Sequence, residues 1–286
     1  MKQQILNFFR RFLRKPFFER ILIKNIQSNS ILSNICIKLT PGNHLYPKKT
    51  FRNINKNGVF FNVDISDYIG HYLYFGFKDL GIQELFRISK DQNVIFDVGA
   101  NIGFTCLTMS NPSSTKAKVY AFEPDEFNYN QLISNCKLNE GFNIIPENIG
   151  LGETERSAKL VINSPDNLGG NRISNDATED FSTIKITTID LYCTEKNINH
   201  LDLIKIDVEG YEFNVLKGAI KTIETFKPIL FIEVDDENLK LQDSSAKILI
   251  EFLEVYYSKI YDASTKIQLN SSDNFNNCHI DIVATN

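Results

Sequence analysis

From about residue 91 the chain alternates between short, almost uninterrupted apolar runs and stretches of helical length. "NVIFDV" leads into "FTCLTMSN", and "KVYAFEP" into "DEFNYNQLISNCKLN". "FNIIPEN" follows, then "LDLIKIDV" with "YEFNVLKGAIKTIETF", then "KPILFIEVD" with "SSAKILIEFLEVYY". Strands that are apolar along their whole length are covered on both faces, and strands separated by helices pair in parallel. The pattern therefore predicts an α/β protein with a doubly wound parallel sheet. Near the C-terminus "SKIYDAS" and "CHIDIVATN" are joined by a polar loop with no helix between them. That is a hairpin, so the last strand is expected to run antiparallel at one edge.

A parallel sheet binds its ligand beyond the carboxyl ends of its strands, where the strand order reverses. In "VIFDVGANIGF" the first strand ends at Asp97, and Gly99 and Gly103 follow in a D-x-G-x-x-x-G turn. Glycine lets backbone approach a ligand and adopt positive φ. The spacing is not the G-x-G-x-x-G of a dinucleotide site, and no Gly-Lys-Ser or Gly-Lys-Thr marks a P-loop. Glu123 ends the next strand twenty residues after Gly103. A carboxylate there accepts hydrogen bonds from both ribose hydroxyls and disfavours a 2′-phosphate. S-adenosylmethionine fits: it has a ribose, no phosphate, and a sulfonium and an ammonium that carboxylates attract. Asp97 reads either as part of this cofactor site or as a turn cap. Asn101 either bonds the cofactor's amino-acid end or serves a left-handed turn.

"FDVGANIGF", "AFEPD", "LIKIDVEGYEFNVLKG" and "PILFIEV", in this order, resemble the FkbM-like family of S-adenosylmethionine-dependent methyltransferases. "DYIGHYLYFG" and "DNLGGNRIS" also look like that family, so the resemblance spans roughly residues 59–284. It implies a Rossmann-like class I methyltransferase fold, with seven strands and an antiparallel last strand, and O-methylation of a hydroxyl. The family's acceptors include sugars and polyketide-type natural products. Adenine is often contacted after the third strand of this fold, where Glu147 and Asn148 stand; the other reading of these residues is an exposed loop.

In "IDVEGYE" Asp207 ends the fourth strand, where the transferable methyl group should point, and Glu209 follows two residues on. Both are candidates for orienting or deprotonating the acceptor. Glu212 reads as acidic charge favoured at a helix N-terminus, and Glu233, ending the fifth strand, is a further candidate. Three carboxylates could in principle hold a magnesium ion, but no compact metal motif is present and no metal is expected. Of the four histidines only His71 is kept as a candidate base, because the aromatic stretch 59–77 is expected to cover the site. His200 should be remote, and His44 and His279 read as packed or surface residues.

Two segments flank the expected sheet domain of residues 91–286: an arm (1–50) and a cap (51–90). "MKQQILNFFRRFLRKPFFERILIK" carries seven basic residues and one acidic one, with apolar and basic residues on opposite sides of a helix that Pro16 ends. Its arginines interrupt the apolar core a signal peptide needs. Residues 1–24 read either as an in-plane helix on an anionic membrane or as a helix packed on the protein's own body. The polar insertion 163–183 is expected to line an acceptor pocket with the cap and the end of strand four. Its Asn, Asp, Ser and Gly suit a polyhydroxyl ligand, as they suit a solvated loop.

A net charge of −4 and 23% charged residues argue against nucleic-acid binding by the whole chain and against disorder. Five widely spaced cysteines without a C-x-x-C suggest a reducing compartment, the cytoplasm. No apolar run approaches the 18 or so residues that a spanning helix needs. The expected partner is a small-molecule or glycan acceptor, most readily a sugar hydroxyl. Two other classes remain: a nicotinamide-dependent oxidoreductase, disfavoured by the missing G-x-G-x-x-G, and a non-catalytic binding domain, disfavoured by the intact cofactor residues.

Overall fold

The computed structural model describes residues 2–28, 31–113, 116–161, 170–173 and 181–286. Most of the 163–183 insertion, with the acceptor-lining role expected of it, lies outside the described residues. The chain forms two compact units, one built on Met1–Lys78 and the other on Asp79–Ile162 with Asn171–Asn286. The first division falls inside the expected cap, and the arm and the front of the cap share one unit.

That first unit contains α1 (Lys2–Phe12), α2 (Pro16–Ile26), α3 (Ile31–Leu39), the hairpin β1 (Phe51–Lys56) and β2 (Val59–Asp64), and α4 (Tyr68–Phe75). Pro16 starts α2 with a preset φ. Asn57-Gly58, both at positive φ, turn the hairpin in two residues between the paired Lys56 and Val59. Asp67 caps α4 by accepting the Ile69 N–H, and Gly76 ends it in the left-handed region. Glu19 on α2 is fully buried, with both oxygens 3.1 Å from the Arg52 guanidinium and Oε2 2.8 Å from the Tyr74 hydroxyl. Burying a carboxylate this deeply requires a charged partner and full hydrogen bonding, and the Arg52 fork supplies both.

The second unit runs α5 (Leu80–Ile88), β3 (Val94–Val98), α6 (Phe104–Met109), β4 (Lys118–Phe122), α7 (Glu126–Lys137), β5 (Ile144–Glu147), β6 (Gly150–Leu151), β7 (Arg156–Val161), β8 (Arg172–Ile173), β9 (Phe181–Thr187), α8 (Ile189–Glu195), β10 (Leu203–Ile206), α9 (Glu212–Lys217), α10 (Ile220–Phe226), β11 (Ile229–Asp235), α11 (Asp236–Lys240), α12 (Ala246–Tyr256), β12 (Lys259–Asp262) and β13 (His279–Thr285). Seven of these strands form the expected sheet, in the order β12-β13-β11-β10-β3-β4-β5. β5, β4, β3, β10 and β11 are parallel, and β13 is antiparallel to both neighbours. The last strand is antiparallel, as expected, but it is not at the edge. α12 returns the chain parallel to β11, which puts β12 outermost, and the hairpin then folds β13 into the gap between them.

Strand order reverses between β3 and β10, so the open carboxyl ends of these two strands form the switch point. Beneath it the rings of Phe96, Phe122 and Tyr192 meet edge to face, Phe96 lying 5.2 Å from Phe122 and 5.8 Å from Tyr192 between centroids. Truncating such a buried Phe costs about 3–5 kcal/mol, so this cluster fixes the platform on which the strand ends stand. The connection from β5 to β10 is not a plain loop. It carries a second sheet, ordered β6-β9-β7-β8, with Ala158, Leu160, Ile184 and Ile186 alternating inward. All five cysteines are free thiols, and no described helix is long and apolar enough to cross a membrane.

Candidate active site

The turn after β3 is shaped by close approach. Gly99 has φ +80, and a Cβ there would lie 1.8 Å from the Asp207 carbonyl oxygen, so only glycine lets the β3 and β10 ends lie this close. The N–H groups of Gly99 and Ala100 both donate to the Phe122 carbonyl, at 3.0 and 2.9 Å. Asn101 takes a left-handed φ of 50, and its backbone N–H donates to Glu123 Oε2 at 2.8 Å. At Gly103, with φ +93, a Cβ would lie 2.6 Å from Leu132 Cδ1. Asn148 donates its amide to the Glu123 carbonyl at 2.8 Å, bracing the strand end that carries the carboxylate.

Asp97 is fully buried. Its Oδ2 accepts the Thr105 hydroxyl at 2.5 Å. Oδ1 has no hydrogen bond from the described residues and lies 3.3 Å from Lys205 Nζ. Lys205, 2% exposed, also lies 3.3 Å from Asp207 Oδ2 and donates to the Gly99 carbonyl at 2.8 Å. Burial alone would strip this lysine of its proton, but Asp207 and Asp97 outweigh it and hold its pKa above the usual lysine value. Burial likewise raises the Asp97 carboxyl, against the pull of Lys205. At Glu123, burial lifts the pKa to about 7 against two backbone N–H donors, those of Asp125 and Asn101.

These groups suit S-adenosylmethionine. Glu123 accepts one N–H on each oxygen and keeps a lone pair on each for a diol. Two carboxyls that burial deprives of compensation gain from a ligand carrying positive charge.

The turn beyond β10 gathers a second set of carboxylates. Oxygens of Asp207, Glu209 and Glu233 all lie within 4.8 Å of one another, a set able to hold a hard cation. Glu209 has φ +55, a strained conformation for a side chain without glycine's freedom, and its Oε2 accepts from Asn238 Nδ2 at 3.2 Å. Gly210, at φ +97, follows it against the Asn238 backbone. Burial and then the Asp207 charge raise Glu209 to about 7. Glu233 is raised chiefly by Asp207 and then by burial. Glu212 does more than answer a helix dipole: it is buried, and its Oε1 accepts the N–H groups of Val208 and Gly210, both at 3.0 Å, which fixes this turn.

Sequence reasoning set aside His279, which stands beside these acids. Its Nδ1 is 2.7 Å from Asp235 Oδ2 and its Nε2 3.4 Å from Glu233 Oε1. Its bonds to Glu233 and Asp235 push its pKa up to about 10, so it is an imidazolium at neutral pH. His71 lies in the other unit. It is buried against Phe75, its Nε2 pairs with the Pro41 carbonyl at 2.7 Å, and burial lowers its pKa. A carbonyl only accepts, so Nε2 carries the proton there. Of the residues expected at the site, the structure brings together Asp97, Gly99, Asn101, Gly103, Glu123 and Asn148 around one turn, and Asp207 with Glu209 around the next. Lys205 joins the two.

Residues 97–260, more than half the chain, match the model of the methyltransferase FkbM domain. The chain belongs to the FkbM methyltransferase family. As a member of it, the protein is a methyltransferase that uses S-adenosylmethionine. It is similar to the hexuronic acid methyltransferase AglP of Haloferax volcanii, at 28% identity over 186 residues, covering 62% of this chain and 74% of that protein. Among solved structures, an FkbM methyltransferase from Methylobacillus flagellatus KT is 18% identical with a TM-score of 0.46, over 76% of this chain and 52% of that one. This FkbM chain thus spans about half the length of that protein. TYW2 of M. jannaschii, solved in complex with AdoMet, is 17% identical with a TM-score of 0.41, over 84% of this chain and 87% of that one.

Proposed function

We propose that the protein methylates a hydroxyl of a sugar, in a glycan or glycoconjugate. The observation that carries the chemistry is the set of three carboxylates, Asp207 and Glu209 just beyond β10 and Glu233 on β11. S-adenosylmethionine supplies an electrophilic methyl group on its sulfonium. Glu123 accepts the ribose hydroxyls, and Asp97 acts from below, holding Lys205, which in turn holds the Gly99 carbonyl. Asp207 and Glu209 orient the acceptor hydroxyl, and Glu209 takes its proton. A base with a pKa of about 7 is well matched to that step at neutral pH, and Glu209 has it. His279 supplies the positive charge that keeps Glu233 and its neighbours from all being protonated together. Alignment of acceptor and methyl donor is the larger contribution, worth several kcal/mol of barrier.

The sugar acceptor draws support from the likeness to a hexuronic acid methyltransferase. The cluster of carboxylates favours neutral hydroxyls over anionic groups as the attacking atom. In a second reading the same three oxygens hold a magnesium ion that binds the acceptor oxygen. The test is methyl transfer from labelled S-adenosylmethionine to a panel of free sugars, glycosides and non-sugar alcohols, with and without chelator. Transfer confined to non-sugar alcohols would overturn the sugar reading, and activity abolished by chelator and restored by magnesium would select the metal-assisted one.

A further inference from the structure

The basic helices α1 and α2 present phenylalanines outward. On α1, Phe8 and Phe9 are 58% exposed and Phe12 59%, their rings in contact edge to face. Arg10 on the other side of α1 turns inward and donates to the Lys38 carbonyl at 3.1 and 2.6 Å. On α2, Glu19, Leu22 and Ile26 are buried, while Phe17 is 70% exposed. Phe17, Arg20, Ile21 and Lys24 share one face by their i, i+3, i+4, i+7 spacing, and all four are exposed. The one acid among residues 1–24, Glu19, is buried and paired with Arg52. The outer surface of these helices is therefore aromatic and cationic, with no anion in it.

We infer that α1 and α2 form a docking surface for an anionic lipid bilayer, on which they lie in the plane of the headgroups. Arginine and lysine pair with lipid phosphates while the phenylalanines enter the acyl boundary. A second copy of the same face is a poor occupant, because it would set cation against cation. A lipid surface supplies what the face lacks, negative charge and an apolar layer beside it. This inference is independent of the acceptor proposed above.

The chain has no tryptophan, so Phe9→Trp places a single tryptophan at the proposed interface. The full-length protein should sediment at low salt with vesicles of phosphatidylglycerol and phosphatidylcholine, and not with phosphatidylcholine alone. Salt should weaken this binding. Emission of F9W should shift to the blue on the anionic vesicles. Arg11→Gln and Lys15→Gln, both exposed, should each weaken binding roughly 5-fold. Phe8→Ser, Phe9→Ser and Phe12→Ser together should abolish it while leaving circular dichroism and cofactor affinity unchanged, because these side chains are already exposed. Deleting residues 1–24 is a poorer probe, since it also removes the buried Glu19 and Leu22. Absence of sedimentation at low salt, or sedimentation with unshifted F9W emission, overturns the inference. So does a lipid-free dimer in light scattering that the triple variant dissolves, which would assign the face to a second copy.

Discussion

The ammonium of Lys205 lies 3.3 Å from Asp207 Oδ2, on the proposed acceptor side, and the same nitrogen donates to the Gly99 carbonyl on the cofactor side. One buried lysine thus ties the two halves of the site together. Lys205→Met should leave Asp97 buried without its counter-ion, a change that costs about 3–5 kcal/mol. Urea denaturation measures it. Adding Asp97→Asn should restore part of the loss, because the second substitution removes the orphaned charge.

Glu123 should govern cofactor affinity and its pH dependence. Its pKa of about 7 belongs to the unliganded protein, and the ionised form is the acceptor of the ribose hydroxyls. Calorimetry with S-adenosylhomocysteine should show affinity steady above that pH and falling about tenfold per unit below it. Glu123→Gln should weaken binding by about 1.5–3 kcal/mol, the scale of a hydrogen bond to a charged group, and flatten the pH dependence. Affinity unchanged in this variant would remove Glu123 from the cofactor site.

Glu209→Gln should lower kcat by about 100- to 10,000-fold if Glu209 takes the acceptor proton. Cofactor affinity should hold, since the amide keeps the shape and the Asn238 contact. A fall in affinity alone would instead place Glu209 in the cofactor site.

His279→Gln removes the imidazolium beside Glu233 and Asp235. With less positive charge nearby, ionising Glu209 and Glu233 becomes harder, so the acid limb of the kcat profile should move to higher pH. A profile that drops in height without moving would mean that His279 only supports the fold.

Unliganded stability should fall as pH rises toward neutrality. Burial leads the rise of Glu123, Glu209 and Asp281 to about 7 and of Glu212 to about 8. The folded chain therefore keeps protons that the unfolded chain, with ordinary carboxyl values, has already released. The favourable contribution is complete below the unfolded pKa and is lost as pH rises through the folded one. Melting temperatures at about pH 5.5 and about pH 8 should differ in that direction, and S-adenosylmethionine should narrow the gap through Glu123.

The strand-end residues were legible because chain order alone carries them. Asp97, Gly99, Gly103 and Glu123 sit at local transitions from apolar run to turn, and their positions at the strand ends follow from the parallel sheet that the rhythm implies. Lys205 was not read, although a lysine inside the otherwise apolar run "LIKI" is itself a sign that a counter-charge must lie in the core. His279 had no local signal. Its place opposite Asp235 depends on the register of β13 against β11, which follows from where the last strand inserts. The sheet built on β7 and β9 was passed over because its inward Ala158, Leu160, Ile184 and Ile186 alternate with lysine, serine and threonine, and only the pairing distinguishes that from a polar loop.

The positive φ of Glu209 sets what its position tolerates. Glycine would relieve about 1–2 kcal/mol of backbone strain there, so the residue that stability prefers at 209 lacks the carboxylate that the proposed chemistry needs. A library of random variants sorted for thermal resistance should enrich Glu209→Gly, and the sturdier proteins so recovered should be the inactive ones. Under the proposed chemistry, activity rather than folding is what retains glutamate at this position.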